Sequence, residues 1–351
     1  MNPKWGKYLS FLVALVFVFG IVSVGFAYET TDDSWMKKNT WNKWGQGDEV
    51  GMLNMMNTQS VLKAIGKIKK GKIYDLETVR FKGMPVWPGH SGWDIKPYGS
   101  PSGRKNMQAY AMYDASYNWY AKGGWLDASV NKFNVGLNSE ILIGPLHVGS
   151  HIDSLSHLTV GADNHWYGGY KEATDWSDYG PLRCDASNIP PIIITGKLLD
   201  IPGYKGVAAL PGGYEITVAD IKGCLKWEGI DIEKGDCVIM RTGQVWPTMN
   251  QAPGAGPGIA ALRYMVEEKG AILFGDDQAA FEAFPAGQLS SFPEHVHPVH
   301  QYMLIQNGIH IQEMVMTNEL AKDKVYDFCY IVLPSKIKGA TGQMIRPVAV
   351  I

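Results

Sequence analysis

The stretch His147-Val148-Gly149-Ser150-His151-Ile152-Asp153-Ser154-Leu155-Ser156-His157 concentrates side chains that bind borderline divalent cations and move protons near neutral pH. The spacing decides which of them can act together. On a helix, His147 and His151 would share a face, but Asp153 would lie about 240° round from His147. Gly149 and the upstream Pro145 also disfavour a helix. On an extended strand, positions 147, 149, 151 and 153 point one way, because side chains alternate with a period of two. Gly149 then leaves room between the two imidazoles. The pattern predicts a strand that converges His147, His151 and Asp153 on a cation such as Zn²⁺ or Mn²⁺. A single histidine here would be better explained as a surface or hydrogen-bonded core residue; four aligned ligand-type groups are not.

A second cluster lies at His295-Val296-His297-Pro298-Val299-His300, followed by a helical pattern that ends at Gly308 and a short strand carrying Glu313. Taken alone it is ambiguous. His90, His165, His297 and His310 read as surface histidines by default.

The elements that must position these groups alternate between strand and helix. Ile73–Leu76 reads as a first strand and Ser139–Val148 as another. Ile192–Thr195 and Lys197–Asp200 read as a strand pair. Thr217 and Asp220 have the spacing of a capping box and open a helix through about Trp227. A strand at Asp236–Arg241 follows, then a Gly/Pro loop over 253–258. Next come a helix over Ile259–Lys269 closed by Gly270 and a strand at Ala271–Phe274. The Gly254-Ala255-Gly256-Pro257-Gly258 run lacks the GxGxxG register after a strand and carries a proline, so it reads as a turn. The expected fold is α/β: one domain of mixed β-sheets with flanking helices. From Trp93 to Trp125 the chain is dense in aromatics and reads as a lid or an elaborated subdomain.

Length and composition bound the rest. The chain has 351 residues, 46% apolar, with 32 basic against 34 acidic side chains, 40 Gly, 19 Pro and 12 Trp. Near-neutral charge without blocks of like sign excludes a polybasic nucleic-acid stripe, and the aromatic content excludes disorder. Residues 1–27 read as a signal peptide: Lys4 and Lys7 precede an apolar run from Leu9 to Phe26, and Gly25 and Ala27 suit cleavage after Ala27. A retained membrane anchor is the alternative. Either places the domain outside the cytoplasm, periplasmic or extracellular, with no other membrane contact. Residues 28–72 form a lead-in, and 73–351 form the domain with an aromatic-rich insertion at 91–138. Cys184, Cys224, Cys237 and Cys329 form no C-x-x-C pair and read as buried small hydrophobes, although an exported context permits one disulfide.

The stretch His147–His157 resembles the H-x-G-T-H-x-D-x-P-x-H signature of the metal-dependent cyclase family, which contains bacterial kynurenine formamidases and isatin hydrolases. Ser150 stands for Thr and Leu155 for Pro. The resemblance continues through Gly235–Gly243, the acidic turn at Gly275-Asp276-Asp277 with Glu282, and His297-Pro298-Val299-His300-Gln301 with Gly308, Ile309 and Glu313. It ends at Gly339-Ala340-Thr341-Gly342 with Arg346-Pro347. It implies a swivelling β/β/α-like fold. His147, His151 and Asp153 would be metal ligands, His300 and Glu313 would complete one or two sites, and His157 would be the acid/base histidine. Ser150 keeps the threonine hydroxyl, whereas Leu155 in place of proline loosens the turn toward His157.

The implied chemistry is hydrolysis of an amide, N-formyl or lactam bond by metal-activated water, with one or two Zn²⁺ or Mn²⁺ ions and a small-molecule substrate. The aromatics at Trp87 and in 93–125 would stack on an aryl amide, or simply pack as core and lid. A homodimer is expected, and no nucleic-acid partner. The same ligands would serve a cyclase or dehydratase, and a non-catalytic exported metal- or ligand-binding protein is the rival of a different class. An exported enzyme suits an environmental or xenobiotic amide at least as well as a tryptophan catabolite.

Overall fold

The computed structural model describes residues 37–99, 138–247, 254–283 and 296–351, with residues 129, 132, 133 and 135 between them. The signal segment 1–27 and most of the aromatic stretch 93–125 lie outside the described residues.

Nine strands build one mixed sheet, and two others pair antiparallel in a separate one. In chain order they are β1 (Ile73–Asp75), the separate pair β2 (Asp94–Gly99) and β3 (Ser139–Ile143), β4 (His151–Asp153), β5 (Ile192–Asp200) and β6 (Cys237–Arg241). Then come β7 (Leu273–Asp276), β8 (Ile311–Glu313), β9 (Asp327–Val332), β10 (Gly342–Met344) and β11 (Val348–Val350). The sheet runs β1-β11-β9-β5-β6-β7-β8-β4-β10. Its centre, β5 to β8, is parallel, and its flanks are antiparallel. Parallel centres must be covered on both faces, and β5, β6 and β7 are accordingly almost wholly buried. Helix α1 (Thr58–Ile65), capped reciprocally by Asn57 and Ser60, lies against β5. Helix α2 (Val218–Glu228) opens on the Thr217/Asp220 capping box and ends at Gly229 with φ 71°.

Several local expectations change. The predicted strand pair at 192–200 is one nine-residue strand. Gly196 is no turn there: a Cβ would sit 2.3 Å from the Phe328 ring, so the glycine makes room for the neighbouring strand. Lys197, expected to begin the second strand, is buried within the single one and paired with Asp327 at 3.0 Å. The strand expected over 139–148 stops at Ile143. The helix expected over 259–269 is α3 (Ile259–Arg263) continued by a π-helical turn (Tyr264–Glu268) before Gly270. The strand after it lies two residues later than expected.

Residues 37–72, expected as a lead-in, are tied to the body of the fold. Met52 and Leu53 enter the main core, and the Trp41 indole N–H donates to the Ile305 carbonyl at 2.6 Å. All four cysteines are buried and unpaired. Among the described residues no helix is long and apolar enough to cross a membrane.

Candidate active site

The site grows from the register of β4 against its neighbours. His151 pairs with Glu313 on β8 and with Met344 on β10, while Asp153 pairs with Gly342. Opposed residues of an antiparallel pair share a face, so His151, Asp153 and Glu313 project together. Ile152 and Gln312 take the other face and are completely buried. His300 arrives from α4 (Pro298–His300), whose continuation Gln301–Gln306 is a π-helical turn, followed by Gly308 with φ 62°.

The expected single strand over 147–153 is not formed. Only 151–153 is strand; Gly149 has φ 58°, the left-handed region, and turns the chain instead of spacing two imidazoles. A Cβ at 149 would meet Thr78 Oγ1 at 2.5 Å. The turn is anchored by Thr78, Arg80 and Ser150. Ser150 N–H donates to Thr78 Oγ1 at 2.8 Å, Thr78 N–H donates to Ser150 Oγ at 2.8 Å, and Ser150 Oγ donates to the Met314 carbonyl at 2.7 Å. Arg80 donates to the carbonyls of Val148, at 3.0 Å, and Ser150. The Ser150 hydroxyl thus ties the start of β4 to the end of β8.

Two imidazoles are locked with one nitrogen turned toward the carboxylates. His151 Nδ1–H donates to the Gly149 carbonyl at 2.7 Å, which turns Nε2 toward Glu313 Oε2 at 3.3 Å and Asp153 Oδ1 at 3.7 Å. His300 Nδ1–H donates to Glu282 Oε1 at 2.6 Å, and its Nε2 faces Glu313 Oε1 at 3.3 Å and Asp153 Oδ2 at 3.7 Å. Such hydrogen bonds to the far nitrogen fix the tautomer of metal-binding histidines. His147 is placed differently. Its Nδ1 lies 2.8 Å from Asp153 Oδ1 and its Nε2 3.0 Å from Thr341 Oγ1, so both nitrogens have protein partners. A cation held between His147 and Asp153 would replace that first hydrogen. His157 stacks on His147 with ring centroids 4.0 Å apart and planes 25° from parallel. Its turn is held by Ser154, whose N–H and hydroxyl both reach the Thr341 carbonyl, and by Ser156 Oγ on the Cys184 carbonyl. Leu155 fills the core where the family signature has proline.

The donor set fits a divalent cation. Ligand atoms of His151, Asp153 and Glu313 lie within 4.8 Å of one another, as do those of His147, Asp153 and His157. Asp153 is completely buried, and its Oδ2 has no hydrogen-bond partner. Burying an unmatched carboxylate oxygen is costly unless a cation or donor meets it. The electrostatics agree. Burial alone would lower His151 and His300, but the facing carboxylates outweigh it and raise both. Burial likewise opposes ionisation of Asp153, yet the surrounding imidazoles hold it well below the usual carboxylate range. Protons on the imidazoles stand where a cation would balance the charge. His157 behaves oppositely: burial pushes it down to about 3 against the pull of Asp153, leaving a neutral ring at pH 7.

A cavity of about 190 Å³ opens over this cluster. His147, His151, His157, His300 and Glu313 form its polar side; Val86, Trp87, Leu158, Ala280 and Met314 form its apolar side. His90 and His297, expected at the surface, also line it, and burial lowers His90. His310, also expected at the surface, is buried, and its Nδ1–H donates to the Asp153 carbonyl at 2.8 Å.

A model of the Cyclase family matches residues 74–283, more than half of the chain. The chain belongs to the Cyclase family. Among solved structures, a crystal structure of a novel cyclase shares 25% identity with a TM-score of 0.73, covering 90% of this chain and 99% of that one. Isatin hydrolase A from Labrenzia aggregata bound to benzyl benzoate shares 19% identity with a TM-score of 0.53, covering 82% and 94%. Isatin hydrolase A from Ralstonia solanacearum shares 17% identity with a TM-score of 0.52, covering 84% and 97%. No curated protein sequence matches the chain. At these identities the isatin hydrolases share the fold of this Cyclase-family chain. The mixed α/β single-domain architecture expected from the sequence is the one found.

Proposed function

We propose that this protein is a metal-dependent hydrolase of an amide, N-formyl or lactam bond, exported and acting on a small aryl substrate. The observation that carries the proposal is the juxtaposition of two imidazole nitrogens turned toward two buried carboxylates, with a neutral histidine beside them, under one cavity. His151, Asp153, His300 and Glu313 would hold the cation, and His147 would join them by giving up its hydrogen bond to Asp153. When bound, a Zn²⁺ or Mn²⁺ ion supplies a Lewis acid for a carbonyl and lowers the pKa of a water.

The protein's own groups do the rest. Trp87, Val86 and Leu158 give a planar ring an apolar wall, and the buried floor limits water to the reacting end. His157, neutral at pH 7, takes a proton from the attacking water and returns it to the departing nitrogen. Its stacking on His147 and the serine-anchored turn hold its ring beside the cluster.

The test is a panel of aryl formamides, lactams and cyclic amides offered to fully metallated protein, with products weighed by mass spectrometry. A product heavier than substrate by one water supports hydrolysis. An unchanged mass, or loss of one water, would establish the cyclase or dehydratase chemistry instead, and no turnover of any member would leave a binding protein. His157→Ala is expected to keep its metal and lose turnover; wild-type turnover in that variant removes His157 from the mechanism.

A further inference from the structure

Glu282 is completely buried and does not line the cavity. Its Oε1 accepts two hydrogen bonds from one residue: the backbone N–H of His300 at 3.0 Å and the Nδ1–H of the same histidine at 2.6 Å. One carboxylate oxygen therefore fixes both where the His300 backbone sits and which way its ring faces. With Nδ1 committed as a donor, the lone pair of Nε2 is left for the cluster.

The surrounding backbone is shaped to keep that carboxylate in place. Phe281, just before it, has φ 39°, and His297, at the start of the turn carrying His300, has φ 53°. Side-chain-bearing residues adopt this region only at a cost, and such strain concentrates where function holds it. Behind Glu282 runs the glycine-rich segment that the sequence shows only as a turn. A Cβ on Gly256 would sit 2.4 Å from the Glu282 carbonyl carbon and 2.7 Å from the Ala283 nitrogen. No side chain fits between these two backbones.

We propose that Glu282 is a positioning residue that sets the tautomer and orientation of His300 toward the cation, and that Gly256 is the backbone position that makes room for it. This rests on the reading of His300 as a cation ligand. His297 Nδ1 lies 3.4 Å from the same Oε1, and one ligand atom from each of Glu282, His297 and His300 falls within 4.8 Å of the others. The shorter bond to His300 Nδ1 favours a supporting hydrogen bond there over a second cation.

The experiment compares full-length wild-type protein with Glu282→Gln, Gly256→Ala and His300→Ala. Affinities for Zn²⁺ and Mn²⁺ are measured by chelator competition, bound metal is counted, the metal-free proteins are examined by thermal unfolding, and the Zn²⁺-loaded proteins by ¹⁵N histidine NMR. Glutamine keeps the volume of Glu282 but removes its charge and can turn an NH₂ toward Nδ1. Loss of a hydrogen-bonded partner behind a metal-binding histidine typically costs 10–100-fold in affinity. Glu282→Gln is expected to fall at the lower end of that range, about tenfold. Its His300 signals should lose the pure Nδ1–H tautomer, while metal-free unfolding stays at the wild-type temperature. Gly256→Ala should weaken binding in the same direction. Lower metal-free stability with unchanged affinity would make Glu282 a merely structural residue and overturn the proposal. So would wild-type affinity and tautomer in Glu282→Gln alongside metal loss in His300→Ala. An extra metal equivalent that disappears in His297→Ala would replace it with a second cation site. Wild-type affinity in His300→Ala would instead remove the ligand reading of His300, and this proposal with it.

Discussion

Gly342→Ala adds one methyl group and should disable the proposed metal site. Gly342 lies on β10 opposite Asp153, and its φ is not in the left-handed region, so alanine suits the backbone. The obstacle is the His147 ring: a Cβ at 342 would lie 2.2 Å from Cε1, 2.7 Å from Nε2 and 2.8 Å from Nδ1. Restoring ordinary carbon–carbon contact near 3.5 Å requires a shift of about 1.3 Å. Such a shift breaks the bonds from His147 to Asp153 at 2.8 Å and to Thr341 at 3.0 Å, and disturbs the stack with His157. Misplacing a reacting group by about 1 Å can cost ~100-fold in rate, and overpacking typically costs ~1–3 kcal/mol of stability. Activity and metal affinity should therefore collapse together while the protein stays folded. Gly92→Ala is the control, since a Cβ there meets nothing within 4 Å and its φ is not left-handed. Chelator competition, turnover on the substrate that the panel identifies, and denaturant melts would be run on both variants. Wild-type affinity and turnover in a folded Gly342→Ala protein would show that the position of His147 does not matter, and the ligand reading of that histidine would fail.

Two further outcomes concern stability. Ser150→Ala removes the acceptor for the Thr78 N–H and the donor to the Met314 carbonyl, both on buried residues, and should cost ~2–3 kcal/mol, read as a lower urea midpoint with an unchanged slope. Glu228 is raised by burial from 4.5 to about 8, against the hydrogen bond it accepts from the Asp200 N–H. The folded state therefore binds more protons than the unfolded chain between those values, so stability falls as pH rises through that window. A displacement of this size corresponds to ~5 kcal/mol at full burial, and partial exposure brings it nearer ~2 kcal/mol. Glu228→Gln should then be more stable than wild type by that amount at pH 9 and equal to it at pH 4. A constant difference across pH, measured by denaturant melts, would refute the assignment.

How much was legible in the sequence depended on the reach of each signal. The Thr217/Asp220 box, the glycine closing the helix after His300 and the short strand carrying Glu313 are local patterns, and the structure has them where expected. The grouping of His151 with Asp153 followed from strand alternation and is real. His147 escaped that rule because Gly149 could mean either space on a strand or a left-handed turn, and the contact with Thr78, far along the chain, decides between them. Gly196 posed the same difficulty: the break it makes between two apolar runs is undone by the Phe328 ring from another strand. His310 looked like an exposed histidine only because its partner, the Asp153 carbonyl, is distant in sequence.

The pairing of β10 with β4 has a consequence for how the molecule is made. The cluster draws on positions from His147 to Thr341, and β10, which closes it, lies far from β4 in sequence. A ribosome delivers His147, His151 and Asp153 long before Glu313 or Thr341 exists. A partly synthesised chain would therefore offer a cation only an unclosed set of the proposed ligands, and tight capture would wait for β8 and β10 to dock. The identity of the ion would then depend on the metals available where these strands dock, a matter of biogenesis as much as of ligand chemistry.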